Sequence, residues 1–89
     1  MPQTLDVINN YESGEQSAQK GDFLSAARYY RDCYYSFEFG EFSIYPDIVY
    51  KYGTSAGRKY DDCLKKLPKG TREQLEEEEQ ELYGTIQWC

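Results

Sequence analysis

Three cysteines, a pair of adjacent aspartates, a glycine-spaced hydroxyl segment and a run of glutamates are the parts of this 89-residue chain that could do chemistry. A cysteine nucleophile acts as thiolate and needs a base or a cationic setting to become one. Cys33, Cys63 and Cys89 have no histidine to serve them anywhere in the chain. Cys33 and Cys63 also fall on apolar helical faces, where cysteine behaves as a small core residue. An odd number of widely separated cysteines points to free thiols rather than a disulfide frame. Without a Cys-x-x-Cys pair or a histidine, no metal or other cofactor is expected. Asp61 and Asp62 are neighbours on a predicted helix, so they point apart. Gly53-Thr-Ser-Ala-Gly57 lies inside a helical pattern and lacks the Lys-Ser/Thr ending of a phosphate-cradling loop. The expectation is a protein that is not an enzyme.

The glutamates raise a different chemistry. Net charge is −6, which disfavours direct nucleic-acid binding, because phosphates must be met by Lys and Arg. Residues 51–72 carry Lys51, Arg58, Lys59, Lys65, Lys66, Lys69 and Arg72 against Asp61 and Asp62, whereas residues 73–89 carry six glutamates and no base. This asymmetry fits pairing between the last two helices, or an acidic face of Glu73, Glu76, Glu77, Glu78, Glu79 and Glu81 offered to a basic partner. In the second case the chain would be a small acidic inhibitor, of the phage or mobile-element type, that blocks a nucleic-acid-binding protein. The plainest alternative is a solvated face.

Ten tyrosines make the chain unusually aromatic, and twelve of its fifteen aromatic residues fall between Phe23 and Tyr60. Tyrosine suits both a wet core edge and an interface, since one end is apolar and the other hydrogen-bonds. Tyr35 shares a helical face with Arg28 and Arg31, and Tyr11 shares one with Glu15 and Gln19. Tyrosine and arginine are the residues enriched at binding hot spots, so these six are the candidate partner-binding residues.

The elements that must position these groups are four helices, over about residues 4–20, 22–37, 46–67 and 72–87. Thr4 is a candidate cap for the first, whose apolar stripe is Leu5, Ile8, Tyr11 and Ala18. Gly21 ends it, and Asp22 caps the second. There Phe23, Ala26, Ala27, Tyr30, Cys33, Tyr34 and Phe37 recur at three-and-four spacing. The aromatic connection 38–46 is expected to fold over the open end of the hairpin, with a β-hairpin the lesser alternative. Pro46 opens the third helix, with Ile48, Tyr52, Ala56, Tyr60, Cys63, Leu64 and Leu67 as its stripe. Gly53 and Gly57 inside it predict close approach of a neighbouring helix. Thr71-Arg-Glu-Gln74 has capping-box spacing, and Leu75, Leu82, Tyr83, Ile86 and Trp88 supply the fourth helix. One glutamate of Glu76–Glu79 must then face inward, with the bases of the third helix as its natural neighbours.

Gly14, Gly21-Asp22, Ala26, Tyr30 and Cys33 together resemble one tetratricopeptide repeat, a helix–turn–helix unit of about 34 residues. In that family a small residue in the first helix admits the second, and small–aromatic–small positions form the seam. The likeness covers about residues 7–40. It departs at Asn10, Ser13 and Ser17, where the family places large apolar groups, and no second copy follows. The hairpin is also similar to part of the microtubule-interacting-and-trafficking module. What the resemblance implies is the hairpin shape and a role in protein interaction, not a ligand.

The composite expectation is one all-α helical domain over 1–89, a small antiparallel bundle that binds a protein partner. No apolar run near 20 residues is present to cross a membrane, and the N-terminus lacks the pattern of a secretory signal. A cytoplasmic adaptor or regulator is therefore expected, with homodimerisation through the fourth helix as one arrangement the pattern allows.

Overall fold

The computed structural model describes residues 2–39 and 47–84, with side chains over 6–38 and 47–84. Expectations for the Thr4 cap and Leu5, for the aromatic connection at 40–46 including Pro46, and for Ile86, Trp88 and Cys89 lie outside the described side chains or residues. Four helices make up the described chain: α1 (Pro2–Gln19), α2 (Phe23–Phe39), α3 (Asp47–Lys65) and α4 (Lys69–Tyr83). The fold is an all-α bundle in which α1 packs on α2, α2 on α3, and α1 more lightly on α3.

The turn between α1 and α2 is written by two residues. Gly21 has φ +79°, a left-handed conformation that costs glycine nothing. The Asp22 amide then donates back to the Ser17 carbonyl (2.9 Å) and the Gly21 amide to Ala18 (3.0 Å), closing a Schellman end. Asp22 Oδ1 accepts from the Ser25 amide at 3.2 Å, so the same residue that finishes one helix caps the next. This is the arrangement the Gly21-Asp22 pair predicts.

The seam follows the predicted α2 stripe. Ala26, Ala27 and Cys33 are completely buried, with Tyr30 and Phe37 close behind. The Cys33 thiol donates to the Val7 carbonyl of α1 at 3.2 Å and lies 3.9 Å from the Tyr52 carbonyl of α3, which puts it at the junction of three helices. Gly14 faces Tyr30 so closely that a Cβ there would be 2.8 Å from its ring. At Gly53 and Gly57 a Cβ would lie 2.1 Å from Phe37 and 3.0 Å from Tyr34. The glycines of α3 therefore do what their spacing predicts.

Two register expectations and one cap are corrected. In α1 the buried apolar residue is Val7 rather than Ile8. In α3 it is Val49, while Ile48 is 43% exposed, because Gly53 and Ala56 share the Val49 face. The Thr71 capping box does not form: α4 begins at Lys69 behind Pro68, with no side-chain cap. Pro68 already sets extended backbone there (φ −60°, ψ 155°), and its ring suits the residue before a helix, which places Thr71 inside the first turn.

Candidate functional site

α4 is attached differently from the other three helices. It gives the core one fully buried apolar side chain, Leu75, and holds to α2 mainly through long polar and aromatic groups. The Glu78 carboxylate accepts from Arg28 Nε (3.1 Å) and Nη2 (2.9 Å) and from Arg31 Nη1 (2.7 Å). Arg31, only 3% exposed, also donates from Nε to Asp32 at 3.0 Å. That aspartate accepts the Tyr83 hydroxyl at 2.9 Å. The Tyr83 ring in turn stacks on Tyr35, centroids 4.0 Å apart and planes 5° from parallel. Glu78 thus pairs with α2 residues 28 and 31, and Tyr83 with 32 and 35, so α4 runs parallel to α2.

These positions correct the expected surface. Tyr35 is 9% exposed and is covered by α4, not presented to solvent. Arg28 and Arg31 are engaged by Glu78. The inward-facing glutamate exists as predicted, but its partners belong to α2 and not to the basic run of α3. The reason is periodicity: Arg28, Arg31 and Tyr35 form a second α2 face, opposite the Ala26–Tyr30–Cys33 seam, and that face is the one left for α4.

The other predicted group, Tyr11 with Glu15 and Gln19, is also largely engaged. Tyr11 stacks on Tyr52 (4.2 Å, 6°) and shares a 3.2 Å hydrogen bond with Ser55. Glu15 accepts the Tyr30 hydroxyl at 2.9 Å and pairs with Lys59, whose ammonium lies 5.0 Å from the Tyr11 ring centroid. Lys59, held by hydrogen bonding, keeps the Glu15 carboxyl below its ordinary range. Burial, followed by Glu15, pushes the Tyr30 phenol up. This network ties α1, α2 and α3 together, and of the three predicted residues only Gln19 is exposed.

What remains open is a groove between α2 and α3. One part, about 390 Å³, is lined by Phe37, Glu38, Tyr50 and Thr54. The next, about 460 Å³, shares Thr54 and runs past Tyr34, Gly57, Arg58 and Asp61 to Glu79 of α4. Tyr50 at its mouth is 59% exposed. Tyr50, Thr54 and Arg58 recur every four residues on α3, a periodicity that marks this face more weakly than the apolar stripe marks the interior.

A third cleft, on the outer side of α4, is lined by Glu73, Glu76, Glu77, Gln80 and Glu81 and by no base. All five are exposed. Glu79 faces the groove instead, where burial first and its charge second push the Tyr60 phenol up.

The two described cysteines are both buried. Burial pushes the Cys33 thiol up to about 12 and raises Cys63 likewise, so neither is a thiolate near neutrality. Among the described residues no cluster of His, Cys, Asp or Glu could hold a metal ion, and no helix is long and apolar enough to cross a membrane.

The α4 attachment has a definite pH signature. Hydrogen bonds from Arg28, then Arg31, hold the Glu78 carboxyl below its ordinary value of 4.5. The unfolded chain therefore takes up this proton more readily than the folded one. Stability from this group is complete above about pH 5 and is lost as pH falls through the lower folded value. Urea unfolding from pH 6 to 3 should show the decline, with a shallower slope in Glu78→Gln. A residual slope will remain, because Glu15 and Asp22 are lowered in the same direction.

Comparison of the chain with protein-family models, curated proteins and solved structures gives no match.

Proposed function

We propose that this domain is a non-catalytic protein-interaction module, a small adaptor or regulator that takes its partner along the α2–α3 groove. The observation that carries this reading is the groove itself. Its floor is Tyr34, Phe37 and Gly57, its rim carries Tyr50, Arg58 and Asp61, and it extends to the acidic helix α4. Aromatic floor, charged rim and exposed tyrosine are the composition of a protein-binding face. The likeness of residues 7–40 to a tetratricopeptide hairpin points the same way.

The test is capture of partners from the source organism with the wild type and with Tyr50→Ala/Arg58→Ala, both at low and high salt. Both side chains project to solvent, so the double variant should melt within a few degrees of the wild type. Loss of a salt-stable partner in the variant supports the groove. Equal capture by both proteins removes it.

The second reading, an acidic inhibitor that imitates nucleic acid, gains from one specific feature. Glu73, Glu76, Glu77 and Glu81 line a cleft that holds no base, with Lys69 and Arg72 on the same helix as the bases of residues 51–72 nearest in sequence. Changing these four to glutamine should leave the fold intact and abolish capture of a salt-labile nucleic-acid-binding protein. Capture insensitive to both salt and substitution discards this reading.

A further inference from the structure

We propose that the α2 face formed by Arg28, Arg31 and Tyr35 is a receptor for an acidic amphipathic helix of a partner protein, which enters by displacing α4. The proposal rests on the reading of the domain as a protein-interaction module and adds to it an adjoining surface, which shares Arg31 and Tyr35 with the groove, with a partner of defined chemistry.

The resident helix states what this face recognises. Leucine at 75 is fully buried, glutamate three residues on bridges both guanidiniums, and tyrosine eight residues on stacks on Tyr35 while its hydroxyl reaches Asp32. Those offsets lie on one side of a helix; the glutamate and tyrosine meet the α2 face while the leucine enters the core, so a helix with the same three groups can take the same seat. A neutral or basic helix would take the Glu78 carboxylate from both arginines and leave the buried Arg31 with Asp32 alone, which disfavours it.

α4 is also the element that leaves most readily. The packed core of α1, α2 and α3 includes Val7, Ala26, Cys33, Val49 and Ala56, to which α4 adds Leu75 alone. The helix starts without a side-chain cap, and its outer residues are exposed and polar. Elements with few buried apolar contacts occupy the low-stability end of a fold. While α4 is seated, the apparent affinity of the receptor is reduced by the small fraction of open molecules.

A fluorescent peptide of residues 69–84 serves as the probe, titrated into the full-length chain by anisotropy. The wild type should bind it weakly. The Glu78→Gln chain, whose own α4 is loosened while the α2 face is intact, should bind it at least tenfold more tightly, and less so in high salt. A peptide carrying glutamine at position 78 should bind neither, a control that needs no change in the folded domain. Circular dichroism of the Glu78→Gln chain establishes that the other helices persist. Equal weak binding to both chains overturns the proposal and leaves the groove reading in place: the two surfaces share Arg31 and Tyr35, but the groove's test rests on Tyr50 and Arg58 of α3, which the α4 contact does not use. Concentration-dependent dimerisation of the wild type, lost in Glu78→Gln, would assign the face to a second copy and overturn the partner assignment.

Discussion

Gly53→Ala is expected to destabilise the domain by about 1–2 kcal/mol, even though alanine is the better helix former. In a helix interior alanine gains about 1 kcal/mol over glycine. At this position the added carbon would lie 2.1 Å from Phe37 Cγ and 2.6 Å from its Cβ. Rotation about the Cα–Cβ bond could swing Cγ aside, but Cβ is fixed by the backbone and stays at 2.6 Å, so the helices must part. Overpacking of this kind costs roughly 1–3 kcal/mol and at times more, which outweighs the propensity gain. The series has internal controls. At Gly57 the nearest atom is Tyr34 Cδ1 at 3.0 Å, and at Gly70 there is nothing within 4 Å. Denaturant midpoints should therefore fall most for Gly53→Ala, less for Gly57→Ala, and not at all for Gly70→Ala. A neutral Gly53→Ala would mean that α2 and α3 do not approach as described.

Tyr35→Ala is expected to cost about 3 kcal/mol, a drop in melting temperature on the order of 15 °C for a domain of this size. The ring is buried between Tyr34, which meets it edge-on at 5.6 Å, and Tyr83, which stacks on it. Its removal opens a cavity and leaves Tyr83 without its platform, so α4 should loosen as well. Tyr35→Phe keeps the ring and should lose far less. A melting temperature unchanged in Tyr35→Ala would return the residue to the surface, where periodicity alone placed it.

That reversal shows where the sequence is legible and where it is not. Local signals are legible, the Thr71 capping box excepted. The Gly21-Asp22 turn, the Ala26–Tyr30–Cys33 seam and the close approach at Gly53 and Gly57 each depend on a few neighbouring residues and one backbone requirement. Pairing between distant faces was not readable. Arg28, Arg31 and Tyr35 form a polar-aromatic stripe, and a sequence cannot distinguish a stripe that meets water from one that meets an acidic helix 50 residues later. The same limit misassigned the partner of the inward glutamate, since both α2 and α3 carry bases. Val7 and Val49 were missed because each has an apolar neighbour, Ile8 or Ile48, and a shift of one residue turns a helix face by 100°. The α2–α3 groove was not legible because it is a property of two helices at once.

The central claim is that α4 is seated on α2 through Glu78 and Tyr83. Hydrogen–deuterium exchange over residues 69–83 tests it most directly, in the wild type, in Glu78→Gln and in Lys65→Gln. The account predicts protected amides in the wild type, protection lost across α4 alone in Glu78→Gln, and no change in Lys65→Gln. Exchange at free-peptide rates in the wild type, or loss of protection in Lys65→Gln with Glu78→Gln unaffected, would contradict it.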